Sequence, residues 1–245
     1  RFFGGWDFDE NEANTLCKNV KFNGEGTGLS GGEFVEKGYQ LGVPMGSDLQ
    51  SSSSGKAPVF AVAALKDPGN TVGKPDQIER STPLQQIQVI KGWVDDKGKS
   101  HEKIYTVAGE SKSNANVDLN TCEAKGPETD ALCTVWRDPD FDPKQRAFYY
   151  ARVIENPVCR WSWLQCKNYA LKNHPKKRPV DFFNETCSSR KKQKTLPKSF
   201  SPCCLHKNVS RVNPKKWTKI QMGVYPPTVQ ERAWSSPIWY NPPKK

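Results

Sequence analysis

The sequence has no apolar run of about 18 residues, the length that a membrane-spanning helix requires. We therefore expect no transmembrane segment. Hydrophobic residues make up only 35% of the 245 positions, and 19 prolines and 18 glycines are spread along the chain. This composition predicts a small core with long polar loops, and it favours short strands over long helices.

The sequence also lacks the usual patterns of catalytic and cofactor sites. Gly-x-Ser-x-Gly is absent, and His101, His174 and His206 are dispersed, whereas a metal hydrolase needs several His and Asp at strand ends. The glycines between Gly24 and Gly32 do not continue into the Gly-Lys-Ser/Thr of a phosphate-binding loop, so we interpret them as a flexible loop. We expect no catalytic residue and no cofactor, with calcium as the one exception considered below.

The eight cysteines lack the Cys-x-x-Cys spacing of zinc sites, so we interpret them as disulfide-bonded. Disulfides indicate an extracytosolic compartment that is secreted, lumenal or periplasmic. The pairing stays open, although the spacing suggests that Cys122 and Cys133 close one loop. Two sequons in a polar loop region, at Asn184 and Asn208, suggest a glycoprotein. The predicted disulfide cysteines are Cys17, Cys122, Cys133, Cys159, Cys166, Cys187, Cys203 and Cys204.

Positive charge is concentrated in one part of the chain. Residues 167–220 contain fifteen Lys and Arg against two acids, Asp181 and Glu185, which gives +13, whereas the whole chain carries +11. We predict a solvated, extended insert held by Cys187, Cys203 and Cys204. The predicted partner-binding residues are Lys176, Lys177, Arg178, Arg190, Lys191, Lys192, Lys194, Lys215 and Lys216.

Clustered positive charge favours an acidic partner, because it raises both local affinity and association rate. An acidic protein surface or a larger protein assembly fits this insert, and so does an acidic glycan or an anionic membrane surface. Nucleic acid is not expected, since disulfides argue against a nuclear or cytosolic location and few aromatic residues accompany the charge.

Short apolar or alternating segments predict β-strands. Ala57–Lys66 is a continuous apolar run typical of a buried strand, and Gln86–Trp93 forms a predicted hairpin with Glu102–Val107 around a turn at Asp95–Gly98. Because no long amphipathic helix is evident, we expect an all-β fold, a β-sandwich of immunoglobulin-like architecture with long irregular disulfide-braced loops. Its body would be residues 1–166 plus 221–245, and 167–220 would be the basic insert. Further strands are predicted at Arg1–Asp9, Cys133–Arg137, Ala147–Ile154 and Gln230–Tyr240, and residues 10–54 are predicted to be a long loop.

An acidic cluster lies at Asp138, Asp140 and Asp142, with a proline after the first and the third of them. Alternating carboxylates can converge on Ca²⁺, which prefers oxygen ligands. An EF-hand is excluded, because Pro143 and Tyr149 stand where its Gly and Glu would be. The alternative is a proline-braced turn whose aspartates cap backbone N–H groups and pair with Arg137 or Arg146.

The tryptophans near the cysteines and at the end of the chain admit two interpretations. Trp161, Trp163, Trp234 and Trp239 could form a flat aromatic platform for sugar rings. Alternatively, these tryptophans form a satellite core around Cys159 and Cys166.

Five segments stand out together: Arg1–Trp6, Gly42–Gly46, Ile87–Trp93, Leu132–Trp163 and Gln230–Tyr240. They resemble the C-terminal part of the family called domain of unknown function 3604. Ser47 departs from the family pattern, which has a second glycine there, and the insert at 167–220 looks peculiar to this chain.

The resemblance implies a longer protein whose front half is similar to PHP-type metal-dependent phosphoesterases. The metal ligands of such proteins lie in that front half, before the part that this chain resembles, so no ligand can be transferred to a position here. We therefore expect a non-catalytic structural or interaction subunit that docks an acidic partner. The alternatives are the C-terminal half of a metal-dependent hydrolase and an acidic-glycan-binding module.

Overall fold

The computed structural model describes residues 1–18, 20, 32–51, 55–71, 78–79, 82–110, 114–206 and 226–242. The chain divides into two compact units. The larger unit comprises Arg1–Ser113, Pro127–Glu155 and Glu231–Lys245, and the smaller unit comprises Asn114–Gly126 and Asn156–Gln230. The smaller unit therefore has wider bounds than the insert expected at 167–220.

The described residues contain short strands along most of the chain and helices near the start and in the smaller unit. The strands are β1 (Phe2–Gly5), β2 (Gly42–Pro44), β3 (Asp48–Leu49), β4 (Val59–Leu65), β5 (Asn70–Thr71), β6 (Ile78–Glu79), β7 (Leu84–Val94), β8 (Ser100–Gly109), β9 (Asn116–Val117), β10 (Ala124–Lys125), β11 (Ala131–Arg137), β12 (Ala147–Glu155), β13 (Val158–Cys159), β14 (Thr228–Val229), β15 (Arg232–Trp234) and β16 (Ile238–Tyr240). The helices are α1 (Ala13–Cys17), α2 (Gly32–Leu41), α3 (Trp161–Asn173), α4 (Pro179–Thr186) and α5 (Arg190–Gln193), with 3₁₀ turns at Glu10–Glu12 and Lys198–Leu205. The chain is therefore rich in β-structure but is not all-β.

Two sheets of the larger unit share one core. The first sheet has the strand order β11-β4-β1-β2, and the second has the order β3-β16-β12-β7-β8, with β15 also paired to β12. Phe2 and Phe60 of the first sheet and Val89, Tyr149 and Ile238 of the second belong to one buried cluster. On β12 the buried residues largely alternate with half-buried ones, as expected where one face of a strand lies on the core.

Strand β4 is buried on both faces, which explains its continuous apolar sequence. Phe60 belongs to the core between the sheets, whereas Val59 and Ala61 belong to a second cluster with Phe34 of α2. Residues 10–54 were expected to be a loop, but α1, α2, β2 and β3 lie there. The prediction was wrong because the glycines around α2 obscured a helical spacing that buries Phe34 and Gly38.

The predicted hairpin is confirmed. Strands β7 and β8 pair in antiparallel register from Gln86 to Val94. The Asp95 carboxylate accepts the N–H groups of Lys97 and Lys99, each at 2.9 Å, and Gly98 takes a positive φ of +76°. Asp and Gly are the residues that such a turn favours.

The smaller unit is a disulfide-bonded helical body with two short strand pairs, β9–β10 and β13–β14. The expectation of an extended, solvated insert is therefore wrong for the described residues. Trp163, Cys166 and Ala170 form one buried stripe of α3, and Phe183 of α4 packs against Trp163. Helical spacing places these side chains on one face, but the scarcity of aliphatic residues in this stretch hid the pattern.

All eight cysteines form disulfides, as predicted. The suggested closure of a loop by Cys122 and Cys133 is wrong, because Cys133 on β11 bonds a cysteine of α1. The four bonds are Cys17–Cys133 in the larger unit and Cys122–Cys159, Cys166–Cys203 and Cys187–Cys204 in the smaller unit. Disulfides of this number indicate a non-cytosolic environment.

Candidate functional site

The first carboxylate of the predicted calcium loop lies in the core of the larger unit. Asp138 is 1% exposed, and its Oδ2 accepts hydrogen bonds from Lys91 Nζ at 2.6 Å and from the Tyr149 hydroxyl at 2.7 Å. Lys91 is 2% exposed and also donates to the Asp140 carbonyl oxygen at 2.6 Å. Burial and the adjacent carboxylate raise the pKa of Tyr149, so its hydroxyl keeps its proton.

The other two carboxylates point to separate partners. Asp140 Oδ2 pairs with Lys103 at 2.5 Å and accepts a hydrogen bond from Tyr105, and these contacts hold the pKa of Asp140 below its usual value. Asp142 accepts the Lys144 N–H at 2.9 Å. Within the described part of the chain, no group of three or more His, Cys, Asp or Glu is placed to hold a metal ion.

The turn alternative describes this segment better. The Asp140 N–H donates to Asp138 Oδ1 at 2.9 Å, so the aspartates do cap backbone N–H groups. The expected ion pairs with Arg137 or Arg146 are wrong: the cations are Lys91 and Lys103, and Arg137 pairs with Glu10 at 2.9 Å. Lys91 was missed, although a lone charge inside the apolar segment Ile87–Trp93 is a signal for a buried ion pair.

The four tryptophans do not form one platform. Trp163 is fully buried in the core of the smaller unit, where its Nε1 donates to the Leu119 carbonyl at 2.9 Å. Trp161 belongs to the same helix but is 70% exposed. Trp234 and Trp239 lie on β15 and β16 of the larger unit. The satellite core around Cys159 and Cys166 is confirmed for Trp163, whereas the other three tryptophans lie outside it.

The basic residues of the smaller unit that the structure describes lie mostly at its surface. Within residues 167–220 the two acids are already paired, Glu185 with Lys177 at 2.5 Å and Asp181 with Arg178 at 2.7 Å. Six further lysines between residues 167 and 206 are exposed and form no ion pair with a described residue. They are Lys172, Lys176, Lys191, Lys192, Lys194 and Lys198. Lys215, Lys216 and the sequon at Asn208 lie outside the described residues, and Asn184 lies on helix α4 instead of in a loop.

Three of these lysines occupy one anchored segment, residues 190–194, which we call the lysine turn. It begins after the Cys187–Cys204 disulfide and ends before Leu196, which is 7% exposed in the core of the unit. The Ser189 hydroxyl accepts the Lys192 N–H at 3.3 Å, and the Thr195 hydroxyl donates to the Lys192 carbonyl at 2.6 Å. The backbone that carries Lys191, Lys192 and Lys194 is thus tied at both ends.

The fold and its cross-links define a disulfide-bonded, β-rich protein with a basic helical unit. The family model described as protein of unknown function (DUF3604) matches residues 1–189, and the chain belongs to that family. The match includes the first part of residues 167–220, the insert that we expected to be peculiar to this chain. The lysine turn and Gln230–Tyr240 lie beyond the matched residues. Searches of the curated proteins and of the solved structures found no match to this chain. Among the described helices, none is long and apolar enough to span a membrane.

Proposed function

We propose that this chain is a non-catalytic structural or interaction subunit that docks an acidic protein partner through the lysine turn. The observation that carries the proposal is the set of three exposed lysines, Lys191, Lys192 and Lys194, without an ion-pair partner among the described residues. Their anchored backbone lowers the entropy lost when a partner orders them. The larger unit, whose charge is nearly balanced, would act as the scaffold.

The charge distribution supports a partner of opposite sign. Counted over the whole sequence, the smaller unit contains 17 Lys and Arg against four Asp and Glu, a balance of +13. Like charges on one small body repel each other, and an acidic partner would relieve that repulsion. Such contacts between exposed charges weaken as salt screens them over about 8 Å at physiological ionic strength.

Charge reversal tests the proposal with poly-L-glutamate as the acidic probe. The variant Lys191→Glu, Lys192→Glu, Lys194→Glu should bind the probe about tenfold more weakly or worse. A matched control with the same change in net charge reverses Lys97, Lys99 and Lys144, which are exposed on the larger unit. The control should keep near-wild-type affinity, and wild-type binding should weaken between low and physiological salt. Equal losses in both variants, or binding insensitive to salt, would contradict docking through the lysine turn.

An acidic glycan is the alternative occupant of the same lysines, and heparin serves as its probe. The protein proposal expects poly-L-glutamate to compete with heparin and to bind at least as tightly at physiological salt. Heparin binding without poly-L-glutamate binding would favour the glycan-binding alternative.

A second candidate is the C-terminal half of a metal-dependent hydrolase, and family membership favours it because this chain resembles the rear part of such proteins. The intact mass of the native material separates the two candidates. A species near 27.6 kDa supports the subunit, whereas a species about twice as large supports the hydrolase, because a further domain of typical size would then be attached.

Three finer expectations complete the proposal. The shared core of the two large sheets supports an immunoglobulin-like sandwich, which an experimental structure of the larger unit would test. The four disulfides support a secreted, lumenal or periplasmic location. Glycan attachment at Asn184 or Asn208 would appear as a mass decrease after glycosidase treatment of the native protein.

A further inference from the structure

The outward face of the second sheet in the larger unit carries an aromatic row. Ala147, Tyr149 and Ala151 of β12 point into the core, so Phe148 points away from it. The strand register places Trp239 of β16 on one side of Phe148 and Gly92 of β7 on the other. Glu102 of β8 lies opposite Gly92 and is the last residue of this row across the sheet.

A polar row runs beside the aromatic one. Arg146 immediately precedes β12 and Asn241 immediately follows β16, and both line the same cleft as Phe148 and Trp239. Ser100 lies opposite Val94 on the neighbouring strand. These residues line a cleft of about 730 Å³ that is open to solvent. That volume lies within the range of small-molecule sites. Four residues outside the two rows also line it, namely Trp93, Ala147, Tyr240 and His101, whose ring is held by the Asp95 carboxylate at 2.8 Å.

Phe148 and Trp239 supply two mutually inclined aromatic surfaces of the cleft. Phe148 lies against Gly92, since a Cβ at position 92 would come within 2.2 Å of the Phe148 ring. The indole of Trp239 is inclined by 47° to the Phe148 ring, with 5.2 Å between the ring centroids. Trp239 remains 47% exposed, so much of its ring faces solvent.

The polar groups of the cleft suit a ligand with hydroxyl groups and no net charge. Arg146 and Glu102 are both exposed, and their opposite charges cancel. A guanidinium offers donors and a carboxylate offers acceptors, which is what neighbouring hydroxyls require. The Asn241 amide N–H donates to Asp48 at 3.2 Å, which leaves its carbonyl oxygen as a further acceptor.

We infer that this cleft binds a pyranose ring of a neutral glycan. The apolar C–H face of the sugar would lie on Phe148 and Trp239, as aromatic rings bury large areas at little entropy cost. Its hydroxyls would bond Glu102 and Arg146. This site lies on the larger unit and is independent of the proposed lysine docking. Of the four tryptophans considered from the sequence, only Trp239 lines it.

Titration with maltohexaose, cellohexaose and mannohexaose, followed by tryptophan fluorescence and calorimetry, tests the inference with the full chain. At least one of these neutral oligosaccharides should bind, and Trp239→Ala should weaken that binding about tenfold or more. Glu102→Gln and Arg146→Ala, both at exposed positions, should also weaken it. The affinity should not change between low and physiological salt, since no net charge is involved.

Trp234→Ala is the matched control, because Trp234 is 59% exposed on β15 but lies outside the cleft. It should leave the affinity for the sugar unchanged. Near-UV circular dichroism confirms that each variant is folded, and Arg146→Ala provides a second test if Trp239→Ala does not fold. Failure of all three sugars to bind the wild type, or an equal loss in Trp234→Ala and Trp239→Ala, would overturn the inference.

Discussion

The two units of this chain are stabilised in different ways. The larger unit packs two sheets and a helix around two buried clusters and contains one disulfide. The smaller unit packs short helices around one cluster and contains three disulfides. A small body with a high net charge buries little apolar surface, so covalent links supply what its core cannot. The unit that carries the charge is therefore the one that depends on cross-links.

The largest effect is expected at the buried ion pair of the larger unit. Asp138→Ala leaves the Lys91 ammonium buried without its carboxylate, which should lower the free energy of unfolding by about 4 kcal/mol. Urea denaturation measures this loss. Asp142→Ala is the control, because Asp142 is exposed, and it should cost about 1 kcal/mol or less. Similar losses in both variants would show that the buried pair contributes little to the sheet core.

Loss of one disulfide should affect the smaller unit next most strongly. Replacing Cys166 and Cys203 by serine should cost about 3 kcal/mol and remove the helical circular dichroism of α3 and α4. Replacing Cys17 and Cys133 by serine is the matched change in the larger unit, and it should preserve that helical signal. If the Cys166 and Cys203 variant kept its helical signal, the smaller unit would not depend on this disulfide more than the larger unit depends on its own.

A smaller effect is expected on the outward face of the second sheet. Gly92→Ala should displace the Phe148 ring and cost about 2 kcal/mol, because the added methyl group would overlap it. The same substitution in a Phe148→Ala background should cost much less, since the clashing ring is gone. Additive losses in thermal unfolding would mean that the two residues are not in contact.

The smallest change in stability is expected from the titration of Asp140 at acidic pH. Hydrogen bonds from Lys103 and Tyr105 lower the folded-state pKa of Asp140. The ionised Asp140 carboxylate therefore stabilises the fold fully at any pH above its unfolded-state pKa of about 4. The stabilisation is lost as the pH falls through the lower folded-state value. Asp140→Asn should therefore flatten part of the acid limb of the stability curve measured by urea unfolding. An unchanged acid limb would exclude this contribution.

The sequence predicted the parts of the fold whose signals are local. The apolar run Ala57–Lys66 predicted β4, and the turn residues Asp95–Gly98 predicted the β7–β8 hairpin. Both signals come from residues that are neighbours in the sequence, so no tertiary information was needed. Helix α2 was missed since glycines surround it, and α3 and α4 were missed since their sequences contain few aliphatic residues. The oxidised state of the cysteines was predictable, but their pairing depends on which distant elements pack together.

For the candidate sites too, features encoded by neighbouring residues were predictable, whereas contacts between distant segments were not. The exposed lysines could be selected from charge alone, whereas the disulfide and Leu196 that anchor the lysine turn could not. The aspartates at 138–142 were recognised as a cluster, but their cation partners Lys91 and Lys103 lie on other strands. The row formed by Phe148 and Trp239 depends on strand register, which a single sequence specifies only weakly.

Hydrogen exchange with and without a reductant tests most directly whether the two units are stabilised differently. In the oxidised protein, amides of β7 and β12 in the larger unit and of α3 and α4 in the smaller unit should be protected. After reduction, α3 and α4 should lose protection while β7 and β12 keep it. Loss of protection in all four elements together, or in none of them, would contradict the account.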